Sequence, residues 1–264
     1  MSQIKKINGI NISINEAGSE NKEAIILIHG RGYSKENMNP LFEYYRDRYH
    51  VISYDVRGHG ESDKPKSYTL DDHCEDLKGI TEFYKLKKPV VIGFSMGSYI
   101  ALKTAEKYPN LFSKLVLIGT KGRGKTSSIQ GVTNENKNVD PKEMMSIIRK
   151  KIFAPGVTDE QIAEFDKSIA SNVKLTKDEQ ERIDRALTDF DLLKDAKKVN
   201  IPVLLMTGEY DGLNPVEKGK EVAESLPDAK FEIIPNAGHI AFFENSNKVF
   251  SLINSFLGGD AKQN

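Results

Sequence analysis

Residues 90–98 read VVIGFSMGS, an apolar run that leads directly into the pattern Gly-x-Ser-x-Gly. Continuous apolar runs of this length are typical of strands that are buried on both faces of a sheet. The following residues, Gly97–Tyr108, have helical character and end before Pro109. A serine between a buried strand and a helix occupies a turn so tight that glycine is needed two residues before and two after it. This context predicts that Ser95 is a nucleophile rather than an ordinary turn serine.

Further apolar runs on both sides of this motif indicate more buried strands. They are Ala24–Ile28, Val51–Tyr54, Pro89–Ile92 (the strand of the motif itself), Leu115–Ile118, Pro202–Met206 and Phe231–Ile234. Helix-like stretches separate most of these runs, at Leu70–Tyr84, Gly97–Tyr108, Val216–Leu226 and Phe242–Leu257. Strands that alternate with helices predict a doubly wound α/β sheet whose strands are mostly parallel.

The N-terminus has a different pattern, which predicts a β-hairpin. Ile4–Ile7 and Ile10–Ile14 flank Asn8-Gly9, the pair that best supplies the positive φ angles of a two-residue hairpin turn. We expect this hairpin to add antiparallel strands at one edge of the sheet.

A long segment without strand-like runs interrupts the alternation, from about Lys121 to Val199. Its charged sequence has helical periodicity. One apolar patch consists of Met144, Met145, Ile147 and Ile148, and another of Ile162, Phe165 and Ile169. Such helices could be solvated and pack only on each other. We favour a helical cap over the carboxyl ends of the strands, because the segment follows a strand and ligands bind at that edge. The predicted organisation is a core formed by residues 1–120 and 200–264, with a cap at 121–199.

A nucleophilic serine needs a base, and the sequence contains five histidines, His29, His50, His59, His73 and His239. His239 follows the last predicted strand in the stretch PNAGH, whose small residues leave the imidazole free to approach Ser95. We expect His29 and His59 to shape their loops. We expect His50 and His73 to be either exposed or hydrogen-bonded. His239 is therefore the predicted base.

The base in turn needs a carboxylate that fixes its tautomer and stabilises the imidazolium. Asp211 lies a few residues beyond a buried strand, in Gly208-Glu209-Tyr210-Asp211. Glu209 is the alternative, but it lies closer to the end of the strand, where it could simply be solvated. The chain order Ser95, Asp211, His239 matches the order that this kind of sheet imposes on nucleophile, acid and base.

Two backbone N–H groups are candidates for stabilising negative charge on a reacting oxygen. Met96 follows the nucleophile at a helix N-terminus, where the helix dipole favours negative charge. Arg31 lies between Gly30 and Gly32 after the first parallel strand, and the flanking glycines allow close approach to a substrate. The Arg31 guanidinium could bind a substrate carboxylate or pair with an acid of the cap, and we favour the pairing.

Composition excludes several other classes of site. Lys plus Arg equals Asp plus Glu, at 38 residues each, so no net charge favours nucleic acid or an anionic membrane. Cys74 is the one cysteine, which excludes an intramolecular disulfide and a Cys-based metal site. No phosphate loop, dinucleotide-binding fingerprint or zinc helix occurs, and we expect neither a cofactor nor a metal. The sequence also lacks a signal-peptide pattern and long apolar runs, so we expect a cytoplasmic protein.

These motifs together resemble the α/β-hydrolase superfamily, and in particular its capped serine hydrolases. The stretches that carry the resemblance are residues 29–32 (HGRG), 55–62 (DVRGHGES), 93–97 (GFSMG), 208–211 (GEYD) and 237–239 (AGH). The resemblance implies the α/β-hydrolase fold with Ser95 as nucleophile, Asp211 as acid and His239 as base. It also implies Arg31 and Met96 as backbone donors of an oxyanion hole.

The function that we expect is cofactor-independent hydrolysis of a small or medium carboxylic ester or lactone, through an acyl-enzyme on Ser95. Relatives that dehalogenate halides or open epoxides generally use aspartate in place of this serine, which speaks against both activities. The alternatives are a C–C bond hydrolase, a peptidase, a perhydrolase, or a ligand-binding or signalling protein with an intact triad. The expected partner is a small-molecule substrate, and the sequence leaves its identity and the oligomeric state open.

Overall fold

A computed structural model describes residues 2–168 and 173–258 of the chain. The strands are β1 (Gln3–Ile7), β2 (Ile10–Ala17), β3 (Ala24–Ile28), β4 (His50–Tyr54), β5 (Val90–Phe94), β6 (Lys114–Ile118), β7 (Arg123–Gly124), β8 (Phe190–Asp191), β9 (Val203–Gly208) and β10 (Ala229–Ile234). Eight of them form one sheet, in the order β1-β2-β4-β3-β5-β6-β9-β10. The pairs β1–β2 and β2–β4 are antiparallel, and the pairs β4–β3, β3–β5, β5–β6, β6–β9 and β9–β10 are parallel.

Helices cover both faces of this sheet. The helices of the described residues are α1 (Asn39–Tyr45), α2 (Leu70–Phe83), α3 (Met96–Lys107), α4 (Ser128–Glu135), α5 (Pro141–Ile152), α6 (Asp159–Ser168), α7 (Lys177–Ala186), α8 (Val216–Ser225), α9 (Ala241–Glu244) and α10 (Ser246–Leu257). Short 3₁₀ turns occur at Lys35–Met38 and Ala196–Lys198.

The apolar strands are explained by burial on both sides. In β3, Ile26 and Ile28 belong to a core that includes residues of α2, α3 and α8, whereas Ile25 and Leu27 belong to a second core with residues of α1 and α10. All four side chains are fully buried, and burying a side chain of this size contributes about 1.5–3 kcal/mol. A strand that is apolar at every position is thus stable only between two layers of helices.

The predicted fold class is confirmed, including the antiparallel hairpin at one edge of the sheet. Asn8 and Gly9 have φ angles of 48° and 80°, as a tight hairpin turn requires. The predicted parallel strands are all present, and their ends differ from the predicted ends by no more than about two residues, the usual uncertainty of such boundaries.

Two local expectations are corrected, and one helical stretch was not predicted. The segment 121–199, expected to lack strands, contains β7 and β8, which pair antiparallel through two residues each. The last helix is interrupted at Asn245, whose side chain accepts a hydrogen bond from Lys248 N–H and donates one to Pro235 O. Asparagine bonds nearby backbone in this way and so ends or starts helices. The unpredicted stretch follows β3 and consists of a 3₁₀ turn and α1.

The segment 121–199, hereafter the inserted segment, lies between β6 and β9 and contains α4 to α7. It packs against the sheet layers, since Ile183 and Leu187 belong to the first core and Phe165 to the second. Helix α5, in contrast, has no buried residue, and Met145 is 57% exposed. Ile169, the last member of the predicted apolar patch, lies outside the described residues.

In the described part of the chain, no helix combines the length and the apolar composition needed to cross a bilayer.

Candidate active site

The parallel strands bring the predicted site residues to one edge of the sheet. In the sheet order, β5 lies between β3 and β6, and β9 and β10 follow β6. Because parallel strands end at the same edge, the residues just after β3, β5, β9 and β10 converge there. Arg31, Ser95, Asp211 and His239 occupy these four positions.

Ser95 occupies a strained turn between β5 and α3. Its φ and ψ angles are 50° and −116°, a conformation that residues other than glycine rarely adopt. A Cβ atom at Gly93 would collide with the backbone of Gly97, and one at Gly97 would collide with Ile28 O. The two glycines therefore allow the strand, the turn and the helix to approach each other. The turn is held by a 2.8 Å hydrogen bond from Ser95 N–H to Ile118 O.

His239 lies between Ser95 and Asp211. Its Nδ1 is 2.8 Å from Asp211 Oδ2, and its Nε2 is 3.0 Å from Ser95 Oγ. An ionised carboxylate can only accept hydrogen bonds, so Nδ1 carries the proton and Nε2 accepts from the serine hydroxyl. The His239 side chain is 5% exposed, and its backbone N–H donates to Ile152 O at 2.6 Å. The imidazole is thus held in the orientation and tautomer that a general base for Ser95 requires.

Asp211 is fixed by its own loop. Its Oδ1 accepts hydrogen bonds from the backbone N–H groups of Leu213 and Asn214, at 2.9 and 2.8 Å, which leaves Oδ2 for His239. The Asp211 side chain is fully buried. Glu209, the alternative acid, is exposed and accepts from Asn236 N–H instead. The structure therefore brings Asp211, and not Glu209, to His239.

The two predicted backbone donors border the same space. Arg31 and Met96 line a chamber together with Ser95 and His239. Within the described residues, neither backbone N–H has a hydrogen-bond acceptor. The N–H of Met96 is free because it belongs to the first turn of α3, which has no intrahelical partner. Two unpaired donors beside Ser95 have the arrangement that is needed to bind an oxyanion.

The side chain of Arg31 is engaged in an ion pair and is not free to bind a substrate. Its guanidinium makes two hydrogen bonds to Asp184 of α7, from Nε to Oδ1 at 3.0 Å and from Nη2 to Oδ2 at 2.7 Å. The favoured pairing with an acid of the inserted segment is therefore what the structure contains. A substrate carboxylate would have to displace this buried ion pair.

Sequence reasoning missed a hydrogen-bond network behind the site. Asn214 Nδ2 donates to Tyr99 Oη at 2.7 Å and to Gly119 O at 2.6 Å. Its Oδ1 accepts from the hydroxyl of Ser128, the first residue of α4, at 2.6 Å. Asn214 therefore connects the Asp211 loop to α3 and to the inserted segment. The one available signal was the spacing of Tyr99, which lies one helical turn after Ser95.

The chamber above Ser95 is small, about 50 Å³ in volume. Its apolar lining consists of Met96, Ile129, Ile152, Leu187 and Leu213, and its polar lining includes Tyr99, Ser127 and Ser128. The Ser127 and Ser128 hydroxyls already donate to Asp184 and Asn214. The chamber therefore suits a short, mainly apolar group.

The other four histidines do not approach Ser95. His29 shapes its loop as expected, because Nδ1 donates to Gly30 O and Nε2 accepts from Val56 N–H. His50 is hydrogen-bonded to Glu16, as expected. His59 is hydrogen-bonded through Nδ1 to Arg57 O at 3.2 Å, whereas its Nε2 has no partner among the described residues. The expectation for His73 was wrong, since it is buried and neither ring nitrogen has a partner in that part of the chain.

These buried histidines predict that the protein loses stability in acid. Burial lowers the pKa of His73 to about 3, that of His59 well below its usual value, and that of His29 in the same direction. Below pH 6.5 the unfolded chain therefore binds more protons than the folded one, and stability falls by about 1.4 kcal/mol per pH unit for each group until its folded pKa is reached. Between pH 6 and 4, the free energy of unfolding of His73→Leu should fall by about 2 kcal/mol less than that of the wild type. Denaturant unfolding at both pH values measures this difference, and equal losses would contradict it.

Comparison with known proteins places the fold in a family. The family model described as "alpha/beta hydrolase fold" matches residues 23–246. A protein of Bacillus subtilis with the provisional name 2-succinyl-6-hydroxy-2,4-cyclohexadiene-1-carboxylate synthase is 30% identical, over 95% of this chain and 96% of its own. A proline iminopeptidase of Pestalotiopsis fici is 25% identical, over 97% of this chain and 99% of its own.

The fold is also similar to that of a solved structure. The esterase from Exiguobacterium antarcticum superposes with a TM-score of 0.85 and 22% sequence identity, over 98% of this chain and 100% of that one. The family model covers most of the chain, and its range includes the parallel strands from β3 to β10 of the main sheet. The chain therefore belongs to the α/β-hydrolase family.

Proposed function

We propose that the protein is a serine hydrolase that cleaves carboxylic esters with short acyl groups through an acyl-enzyme on Ser95. The observation that carries this proposal is the continuous line of hydrogen bonds from Ser95 Oγ through the His239 imidazole to Asp211 Oδ2, at 3.0 and 2.8 Å. Nucleophile, base and orienting acid in hydrogen-bond contact are the arrangement that serine acyl transfer requires.

In the first half-reaction, Ser95 Oγ attacks the carbonyl carbon of the ester while its proton passes to His239 Nε2. The carbonyl oxygen becomes an oxyanion and accepts hydrogen bonds from the N–H groups of Arg31 and Met96. Asp211 stabilises the imidazolium without itself taking the proton. The tetrahedral intermediate then collapses, the bond to the alcohol oxygen breaks, and His239 protonates the leaving alcohol. The acyl group remains on Ser95.

In the second half-reaction, water takes the place of the alcohol. His239 accepts a proton from this water as its oxygen attacks the acyl carbon. The second tetrahedral intermediate releases the carboxylic acid, and the proton on His239 returns to Ser95 Oγ. The steps use only this chain and water, and they begin and end with the same protonation states.

The small chamber supports a short acyl group. Its volume of about 50 Å³ and its apolar lining suit a chain of a few carbons next to the carbonyl carbon. Ser127, Ser128 and Ile129 at the start of α4 form part of its wall, together with Ile152 and Leu187. We therefore propose that the inserted segment acts as a cap, which encloses the acyl group and sets its length. The esterase of similar fold is consistent with this class of substrate.

A panel of p-nitrophenyl esters tests the proposal. Acetyl and butyryl esters should be hydrolysed with a kcat/KM more than about tenfold above that of the decanoyl ester, because overfilling a packed site costs about 1–3 kcal/mol. The substitution Leu187→Ala, which enlarges the chamber, should narrow this difference. An equal or higher rate for the decanoyl ester would contradict the short-acyl assignment.

The same panel separates the alternative functions when it also contains a lactone, a peptide amide and a C–C cleavage substrate. Each substrate is assayed with wild type and with Ser95→Ala. Preference for an amide or a C–C substrate would replace the esterase assignment while retaining Ser95 as the nucleophile. A single burst of product without steady-state turnover would favour a ligand-binding protein with an intact triad.

A further inference from the structure

We propose that Asp184 is a positioning residue for the oxyanion hole, which holds the Arg31 backbone N–H in place from the inserted segment. This inference rests on the proposed function. It assigns a role to a residue of α7 that does not itself line the chamber with Ser95. The argument depends on the backbone of the Arg31 loop, on the contacts of the Asp184 carboxylate, and on the elements that these contacts connect.

The backbone around Arg31 is only weakly restricted by its own sequence. Arg31 lies between Gly30 and Gly32, and glycine restricts the backbone less than any other residue. A turn is closed by a 3.3 Å hydrogen bond from Tyr33 N–H to Gly30 O, and Gly32 has a φ angle of 78°. The turn leaves the Arg31 N–H unpaired among the described residues. Its direction must therefore be fixed by contacts outside the turn.

The side chain of Arg31 provides such a contact. Both oxygens of Asp184 accept from the guanidinium, at 3.0 and 2.7 Å, in a geometry that fixes orientation as well as distance. The Arg31 and Asp184 side chains are only 15% and 9% exposed. Removing one partner of a buried ion pair leaves an uncompensated charge, so the pair is kept together in the folded protein.

Asp184 also receives a third hydrogen bond, from Ser127 Oγ to Oδ1 at 2.5 Å. Ser127 caps the N-terminus of α4, where its hydroxyl accepts from Gln130 N–H. One carboxylate thus joins the loop after β3, the start of α4 and the helix α7. The inserted segment therefore contributes to the oxyanion hole by fixing a backbone donor that belongs to the core.

The substitution Asp184→Asn tests this role, because it removes the charge and one acceptor. A displacement of about 1 Å in a reacting group can cost roughly 10²-fold, and loss of an oxyanion donor costs roughly 10²–10³-fold in kcat. We expect kcat to fall about 10–100-fold and KM to change less than about threefold, because the hydrogen bond to the oxyanion strengthens in the transition state. The Ki of a trifluoromethyl ketone, which forms a tetrahedral oxyanion adduct, should rise by the same factor as kcat falls.

Asp178→Asn is the matched control. Asp178 lies on the same helix, is exposed and pairs with Arg182. This variant should retain kcat and Ki within about threefold of the wild-type values, since exposed ion pairs contribute little. Unchanged kcat and Ki in Asp184→Asn would overturn the proposal.

A double-mutant cycle shows whether Asp184 acts through Arg31. Lysine cannot form the bidentate contact with Asp184, so Arg31→Lys should lower kcat by a factor similar to that of Asp184→Asn. The kcat of the double variant should then be at most about threefold lower than that of either single variant, because the effects of residues that act as a unit do not add. Multiplicative losses would overturn the proposal, and Arg31→Lys alone decides it if Asp184→Asn does not fold. Wild-type turnover that does not depend on Ser95 would instead contradict the proposed function.

Discussion

Replacing Ser95 by alanine should lower kcat/KM for a short-chain ester by roughly 10⁴–10⁶-fold. The substitution removes one oxygen atom and with it the attacking group, while Arg31, Met96 and His239 remain in place. The residual rate should be that of water attack assisted by the oxyanion hole. Steady-state hydrolysis of p-nitrophenyl acetate measures the loss.

The control for this variant is Ser225→Ala. Ser225 ends α8 and donates its hydroxyl to Val222 O, and it does not line the chamber. Its removal should leave kcat/KM within about threefold of the wild-type value, as is usual for surface substitutions. A Ser95→Ala enzyme with more than about one-tenth of wild-type activity, despite normal folding, would exclude Ser95 as the nucleophile.

Replacing His239 by alanine should lower kcat/KM roughly 10²–10⁴-fold, the usual contribution of a general base. The Ser95 hydroxyl would then lack an acceptor at 3.0 Å, and the leaving alcohol would lack a proton donor. Asp211 would remain held by Leu213 and Asn214 N–H groups. Ester hydrolysis assayed with and without added imidazole measures the effect, and imidazole should restore part of the rate.

His50→Gln is the matched control. His50 begins β4, so it lies at the amino ends of the parallel strands and not at the carboxyl ends where Ser95 lies, and it is hydrogen-bonded to Glu16. It should retain kcat/KM within about threefold of wild type. A loss of less than about tenfold in His239→Ala would mean that another group removes the serine proton.

Local sequence was sufficient to predict the elements that position the candidate site. The glycine before Ser95 is required by a collision within the turn, and the glycine after it by the close approach of the end of β3, so both belong to the strand–turn–helix geometry that the motif indicates. Asp211 and His239 follow apolar strands, and parallel strands that end at one edge bring such residues together. These predictions depended only on residues close in sequence and on the general geometry of parallel sheets.

The remaining contacts depend on packing between distant segments, which no local pattern encodes. Arg31 and Asp184 are separated by 153 positions, and Tyr99 and Asn214 by 115. Many acids of the inserted segment could have paired with Arg31, and only the position of α7 selects Asp184. Likewise, the sequence of α2 does not show that His73 packs edge-on against Tyr68, at 5.3 Å between ring centroids, with no hydrogen-bond partner among the residues that the structure describes.

The pair β7–β8 was missed for a different reason. Each strand has two residues, Arg123–Gly124 and Phe190–Asp191, whereas periodicity needs runs of about four or more to indicate a strand. The pairing connects the two ends of the inserted segment, so it depends on where that segment leaves and rejoins the core. The break of the last helix at Asn245 is similar, because it depends on the contact of this side chain with Pro235 O.

The most direct test of the proposed function is covalent labelling of the native protein with a fluorophosphonate, followed by intact mass measurement and peptide mapping. The reagent phosphonylates a serine that is activated by a neighbouring base. We predict one adduct per chain, located on Ser95, together with loss of ester hydrolysis in proportion to labelling. An adduct on another residue, or full ester hydrolysis by protein that carries no adduct, would contradict Ser95 as the nucleophile.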